Sequence, residues 1–134
     1  MLVKIIEQVN SYEEAIKITC DELIHNGNVT EDYYPAILQK VLEFGPYFCI
    51  ADGIAMPHAR PEDGVIKSEV CLLKLNTPVD FLGKQIALFL TLCAVDNSSH
   101  LNIMKQIASI CMNQDTLNQI LASKTVEDII RKVV

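Results

Sequence analysis

Ile86-Ala87-Leu88-Phe89-Leu90-Thr91-Leu92-Cys93-Ala94-Val95 is apolar at all but one position, and Asp96-Asn97-Ser98-Ser99-His100 ends it. A strand with one solvated face would alternate apolar with polar residues. This run does not, so it predicts a central strand covered on both sides, although periodicity alone leaves a buried helix open. The polar stop offers several helix N-caps, and Ile103, Met104, Ile107, Ile110 and Cys111 follow at helical spacing. A buried strand running into an amphipathic helix is the unit around which the rest of the chain is arranged.

Upstream, Glu69-Val70-Cys71-Leu72-Leu73-Lys74-Leu75 reads as a second strand, with Asn76-Thr77-Pro78 as its stop. Phe48-Cys49-Ile50-Ala51 is short and β-prone; Asp52-Gly53 breaks it, and glycines and prolines from Gly53 to Gly64 mark a loop. Nearer the N-terminus, Ser11-Tyr12-Glu13-Glu14 is a capping box, and Ile16, Cys20, Leu23 and Ile24 recur at helical spacing as far as Gly27. Thr30 caps a second helix with Glu31 and Asp32 at its positive end. Its buried stripe is Tyr34, Ile37, Leu38, Val41 and Leu42, and Gly45-Pro46 ends it. Two short helices come last, one capped near Asp115 and burying Leu117, Ile120 and Leu121. The other is opened by Thr125-Val126-Glu127-Asp128 and buries Ile129, Ile130 and Val133. Helices thus bracket a small sheet from both sides of the sequence, which predicts an α/β sandwich with a mixed sheet, as one domain over residues 1–134.

Composition narrows the function. With 50% apolar residues in 134, the chain can bury a core without disulfide or metal staples. Its five cysteines are an odd number, widely spaced and without a C-x-x-C pair, so they read as small hydrophobes in a reducing compartment. Neither a signal-peptide pattern at Met1–Glu7 nor a membrane-length apolar run is present, and a cytoplasmic location is expected. A net charge of −6 with dispersed basic residues argues against a nucleic-acid partner.

Three histidines are the first candidates for proton or phosphoryl chemistry, because imidazole alone titrates near neutrality without help. His25, just before Asn26-Gly27, suits the negative end of a helix dipole and reads as structural. His58 lies in Gly53-Ile54-Ala55-Met56-Pro57-His58-Ala59-Arg60-Pro61, where flanking prolines stiffen the backbone and small residues leave the ring approachable. His100 falls in the first turn of a helix, a position that welcomes an anion. If strand 86–95 belongs to a parallel-type sheet, it delivers His100 to the carboxyl edge, and the His58 loop reaches the same edge.

The segment Gly53-Ile54-Ala55-Met56-Pro57-His58-Ala59-Arg60 resembles the active-site motif of the type-2 IIA domains of bacterial sugar phosphotransferase systems (PTS), the mannitol–fructose superfamily. Asn97-Ser98-Ser99-His100-Leu101 matches that family's second histidine at a helix start. The continuation Pro57-His58-Ala59-Arg60-Pro61-Glu62 and the segment Ala94 to His100 are most similar to the ascorbate-type branch. The resemblance implies a three-layer, phosphotransferase/anion-transport-protein-like fold without cofactor or metal. It also implies a phosphocarrier whose His58 is phosphorylated by phospho-HPr and passes the group to a cysteine of a IIB component, in support of a membrane IIC transporter. His100 and the helix start would stabilise the transferring group, and Ser99 could add a hydroxyl, or act only as a cap residue. Lys40 aligns with an arginine that mannitol-type members carry late in the second helix; as a point charge without a bidentate fork it reads more simply as a solvated residue. The apolar neighbours Ile50, Ile54 and Met56 form either a dry wall and docking patch or part of the core.

Other readings differ in class. A regulatory protein similar to the nitrogen-related IIA proteins would carry phosphate on the same histidine but act by binding a target. A metal site from His58, His100 and Asp52 or Glu62 lacks compact ligand spacing. A thiol enzyme would need Cys49 or Cys93 beside a histidine and deprotonated.

Overall fold

The apolar run is a strand, and it lies at the centre of the sheet. The computed structural model describes residues 1–133. In chain order the elements are β1 (Leu2–Ile6), α1 (Tyr12–His25), α2 (Tyr33–Phe44), β2 (Cys49–Ala51), β3 (Ile54–Ala55), a 3-10 turn (Pro61–Asp63), β4 (Glu69–Phe81), β5 (Lys84–Cys93), α3 (Asn97–Cys111), α4 (Gln114–Ala122) and α5 (Val126–Val133). The strands form one mixed sheet of order β1-β4-β5-β3-β2. β1 runs parallel to β4 and β3 parallel to β5, while β4 and β5 form an antiparallel hairpin.

β5 buries side chains on both faces and divides the molecule into three layers, with strict alternation from Leu88 onward. Ile86, Phe89 and Cys93 face a core built with Ile16, Cys20 and Leu23 of α1 and Tyr33, Ile37 and Val41 of α2. Leu88, Leu90 and Leu92 face the opposite core, with Ile103, Ile107 and Ile110 of α3, Leu117 and Ile120 of α4, and Ile129 of α5. Each such buried side chain contributes roughly 1.5–3 kcal/mol, so the doubly covered central strand anchors both layers.

Several boundaries depart from the sequence reading. β4 continues through Asn76-Thr77-Pro78 to Phe81, because the ladder shifts register between Lys74 and Val79 and a proline is tolerated at such an irregularity. Met1–Glu7 contributes β1 at the sheet edge, with Leu2 and Ile6 turned to one core and Val3 and Ile5 to the other. The buried stripe of α2 is Tyr33, Ile37 and Val41, whereas Leu42 is 80% exposed. The cap expected near Asp115 is Asn113, which accepts from Thr116 N–H at the start of α4. Leu121 and Ile130 are exposed on the outer helices.

Candidate functional site

Parallel pairing of β3 with β5 sends both strands toward the same edge, and each ends just short of a histidine. β3 continues as Met56-Pro57-His58, and β5 continues through Ala94-Val95 into α3, whose first turn holds His100. The two imidazole centroids are 5.8 Å apart. The expected meeting at the carboxyl edge is therefore present, arranged by β3 and not by the antiparallel β4.

A cleft of about 220 Å³ opens between the two histidines, lined also by Ala59, Arg60, Pro61, Ala94, Asp96 and Asn97. His58 is only partly exposed. Its ring sits 5.2 Å from that of Phe48 and 6.3 Å from that of Tyr47, and Tyr47 in turn meets Phe44. The wall beside the histidine is thus aromatic; Ile54 and Met56 are buried in the α3–α5 core, and Ile50 is exposed toward the far end of the sheet.

The His58 ring is oriented by its own backbone. Nδ1 lies 3.0 Å from the carbonyl oxygen of Met56. A carbonyl only accepts, so in the neutral ring Nδ1 carries the proton and Nε2 keeps the free lone pair. Burial holds the imidazole below its ordinary value of 6.5; the Met56 carbonyl opposes this, and the neighbouring His100 and Lys40 add to it.

Asp96 caps α3, its carboxylate accepting from Ser99 N–H at 2.8 Å. The Ser99 backbone and then its hydroxyl pull the Asp96 carboxyl below the usual range, so Ser99 is engaged with the cap and does not line the cleft. Lys40 also stands outside the lining, half-buried on α2 with Nζ 5.8 Å from the Phe44 ring centroid, yet close enough for its charge to be felt at His58. His25 is exposed at the C-terminal end of α1.

Other candidates separate. Asp52 lies in the β2–β3 turn beside Lys84, Gln85 and Ile86, at the opposite end of β5 from the histidines. Among the described residues no cluster of three or more His, Cys, Asp or Glu side chains is disposed to hold a metal. Burial pushes Cys93 up to about 11 and leaves Cys49 raised as well, which keeps both as thiols at neutral pH.

The sequence matches the family model for the phosphoenolpyruvate-dependent sugar phosphotransferase system, EIIA 2, over residues 1–133. The chain belongs to that family. It is 35% identical over 127 residues to an ascorbate-specific PTS system EIIA component of Salmonella choleraesuis, covering 92% of this chain and 82% of the relative. A crystal structure described as a PTS IIA (PtxA) from Streptococcus mutans superposes with a TM-score of 0.91 at 31% identity, over 98% of this chain and 86% of the other. The mannitol-specific cryptic phosphotransferase enzyme IIA CmtB of Escherichia coli superposes with a TM-score of 0.90 at 29% identity, over 98% and 90% of the two chains. No described helix of this EIIA domain is long and apolar enough to cross a membrane.

Polar residues of the EIIA cleft escaped the sequence reading as site residues: Arg60 and Asn97, besides the cap residue Asp96. Arg60 borders the cleft and its Nε lies 3.5 Å from Glu62 and 3.6 Å from Asp63, so the 3-10 turn holds a guanidinium near His58. Asn97 opens α3 at the cleft. Both stand inside the quoted motifs, and their residue types were the available signal. Tyr33 is a further omission: its hydroxyl donates to Leu92 O at 2.6 Å and accepts from Ala59 N–H at 3.0 Å, directly beside His58.

Proposed function

We propose that this EIIA domain is a phosphocarrier in which Nε2 of His58 attacks the phosphoryl group of phospho-HPr and then surrenders it to a cysteine thiolate of a IIB component. In the first step an Nε2–P bond forms as the N–P bond to the donor histidine breaks; in the second an S–P bond forms as Nε2–P breaks. Nδ1 keeps its proton throughout, held by Met56 O. The observation that carries this reading is that hydrogen bond, which leaves one lone pair available beside a second imidazole.

Phosphoryl transfer passes through a loose transition state with charge on the equatorial oxygens, so positioning and countercharge dominate catalysis. The α3 N-terminus, an imidazole N–H of His100 and the Arg60 guanidinium supply donors, and Lys40 adds field from the α2 side. Asp96 opposes them with its own charge, partly neutralised by its cap bonds. Phe48 and Tyr47 limit water around the reacting nitrogen, and Tyr47 with Phe44 extends an exposed apolar rim from the cleft for protein partners.

The ascorbate-specific relative supports ascorbate or a related sugar as the solute of the system served, on the cytoplasmic side of its membrane IIC component. It favours delivery of phosphate over a purely regulatory role. Incubation with enzyme I, HPr and phosphoenolpyruvate, followed by intact-mass analysis, should add one acid-labile phosphate to the wild type and none to His58→Ala. Wild-type uptake by the variant would overturn the reading.

A further inference from the structure

β3 and β5 pair in parallel register, Ile54 with Leu88 and Ala55 with Phe89. The same offset, carried beyond the end of β3, sets His58 opposite Leu92. In a parallel ladder the residue facing His58 donates its N–H to the carbonyl before the histidine and accepts on its own carbonyl from the N–H after it. The first rung exists, with Leu92 N–H donating to Pro57 O at 3.1 Å. The second is interrupted by a side chain: Ala59 N–H donates to the Tyr33 hydroxyl, and that hydroxyl donates to Leu92 O. A hydroxyl has one proton, and the 2.6 Å contact to Leu92 takes it in preference to Ala59 O at 3.5 Å.

We propose that Tyr33 is a positioning residue for transfer at His58: its hydroxyl, inserted as a spacer between Ala59 and Leu92, sets how far the histidine loop stands off β5. The proposal rests on the phosphocarrier reading of the site. Because β5 runs on into α3, Leu92 is the common anchor of both imidazoles, and the spacer fixes their separation. Tyr33 comes from α2, is wholly buried, and burial pushes its phenol above the ordinary range, so it remains a neutral donor at every working pH.

Phenylalanine would fill the same space without the spacer. Ala59 N–H would then either close directly on Leu92 O, pulling the loop inward, or stay unpaired in a partly buried place. Both move or loosen His58 relative to His100. A misplacement of about 1 Å can cost on the order of 10²-fold in rate.

The test is single-turnover transfer with Tyr33→Phe, beside Thr19→Val as a control that removes another buried hydroxyl of the same core, 2.7 Å from Thr91 Oγ1. Tyr33→Phe should slow transfer at saturating phospho-HPr by about tenfold or more. The donor concentration for half-maximal rate should be unchanged, and the His58 ring nitrogen NMR shifts altered. Thr19→Val should lower thermal stability and leave the rate within twofold. A Tyr33→Phe rate within twofold of wild type, or an equal loss in Thr19→Val, overturns the proposal. If Tyr33→Phe does not fold, hydrogen exchange in the wild type decides: the Ala59 amide should be as protected as that of Leu92, and exchange at open-loop rates overturns the spacer. Failure of the wild type to accept phosphate is seen before any variant is made and sinks the phosphocarrier reading itself.

Discussion

One ring nitrogen of His58 is tied to its own backbone, and this makes the residue's pH behaviour specific. The proposed attack needs the neutral ring. Burial disfavours the imidazolium, so the folded-state value lies below 6.5 and the midpoint of the acid fall in acceptance should lie below pH 6.5. An apparent midpoint at or above 6.5, with donor and fold intact, would show that the reacting group is not this buried imidazole. Linkage has the same sign: a depressed histidine contributes stability that is present above 6.5 and lost as pH falls through the folded value, because the unfolded chain binds the proton first. His100 makes a second residue-level claim. Losing one preorganised donor costs about 10²–10³ in rate at comparable sites, so His100→Ala should slow transfer to IIB by roughly tenfold or more, with partial rescue by asparagine. Single-turnover transfer from the phosphorylated variant measures this; a rate within twofold of wild type would reduce His100 to a helix-start residue. At this scale the sequence was most informative about chemistry-bearing side chains. Both histidines were legible from their motifs, whereas Tyr33 was not, because Tyr33 and Tyr34 both fit a 3.6-residue period and only packing decides which one faces inward.

Among the elements, α3 carries most of the burden of placing chemistry. Its N-cap lies in the cleft, so the cap and the position of His100 are mechanically linked. Asp96→Ala should slow transfer severalfold through fraying of the first turn, while Asp96→Asn, which keeps a cap and removes a negative charge, should not. Asn113→Ala removes the cap of α4, away from the cleft, and should cost about 1 kcal/mol of stability with no change in rate. Thermal unfolding beside single-turnover kinetics checks all three; equal rates for the two Asp96 variants would uncouple the cap from the site. The misread elements share a cause. β1 is short and half-buried at a sheet edge, so its residues never form a strong pattern, and the irregularity in β4 carries Asn76-Thr77-Pro78 across what looks like a terminator. In both cases pairing with a distant strand overrides the local signal.

For the whole molecule, the three-layer arrangement was readable because both faces of one strand are apolar and amphipathic helices lie before and after it. What could not be read was how the layers close on the site. The His58 loop is fastened by partners far away in sequence: Leu92 at the end of β5, Tyr33 at the start of α2, and Thr30, whose N–H donates to Gly64 O at 2.8 Å. Gly64 has φ +112, and a Cβ there would collide with Thr30 Oγ1, so this fastening depends on glycine. The aromatic contact between Tyr47 and His58 has a practical side. The chain contains no tryptophan, and Tyr47 sits 6.3 Å from the histidine on an exposed rim. Tyr47→Trp would therefore place a single indole fluorophore beside the His58 ring, excitable at the red edge of its band where the remaining tyrosines stay silent, so that the proposed arrival of a phosphoryl group and of a protein partner can be followed optically, in real time and without labelling.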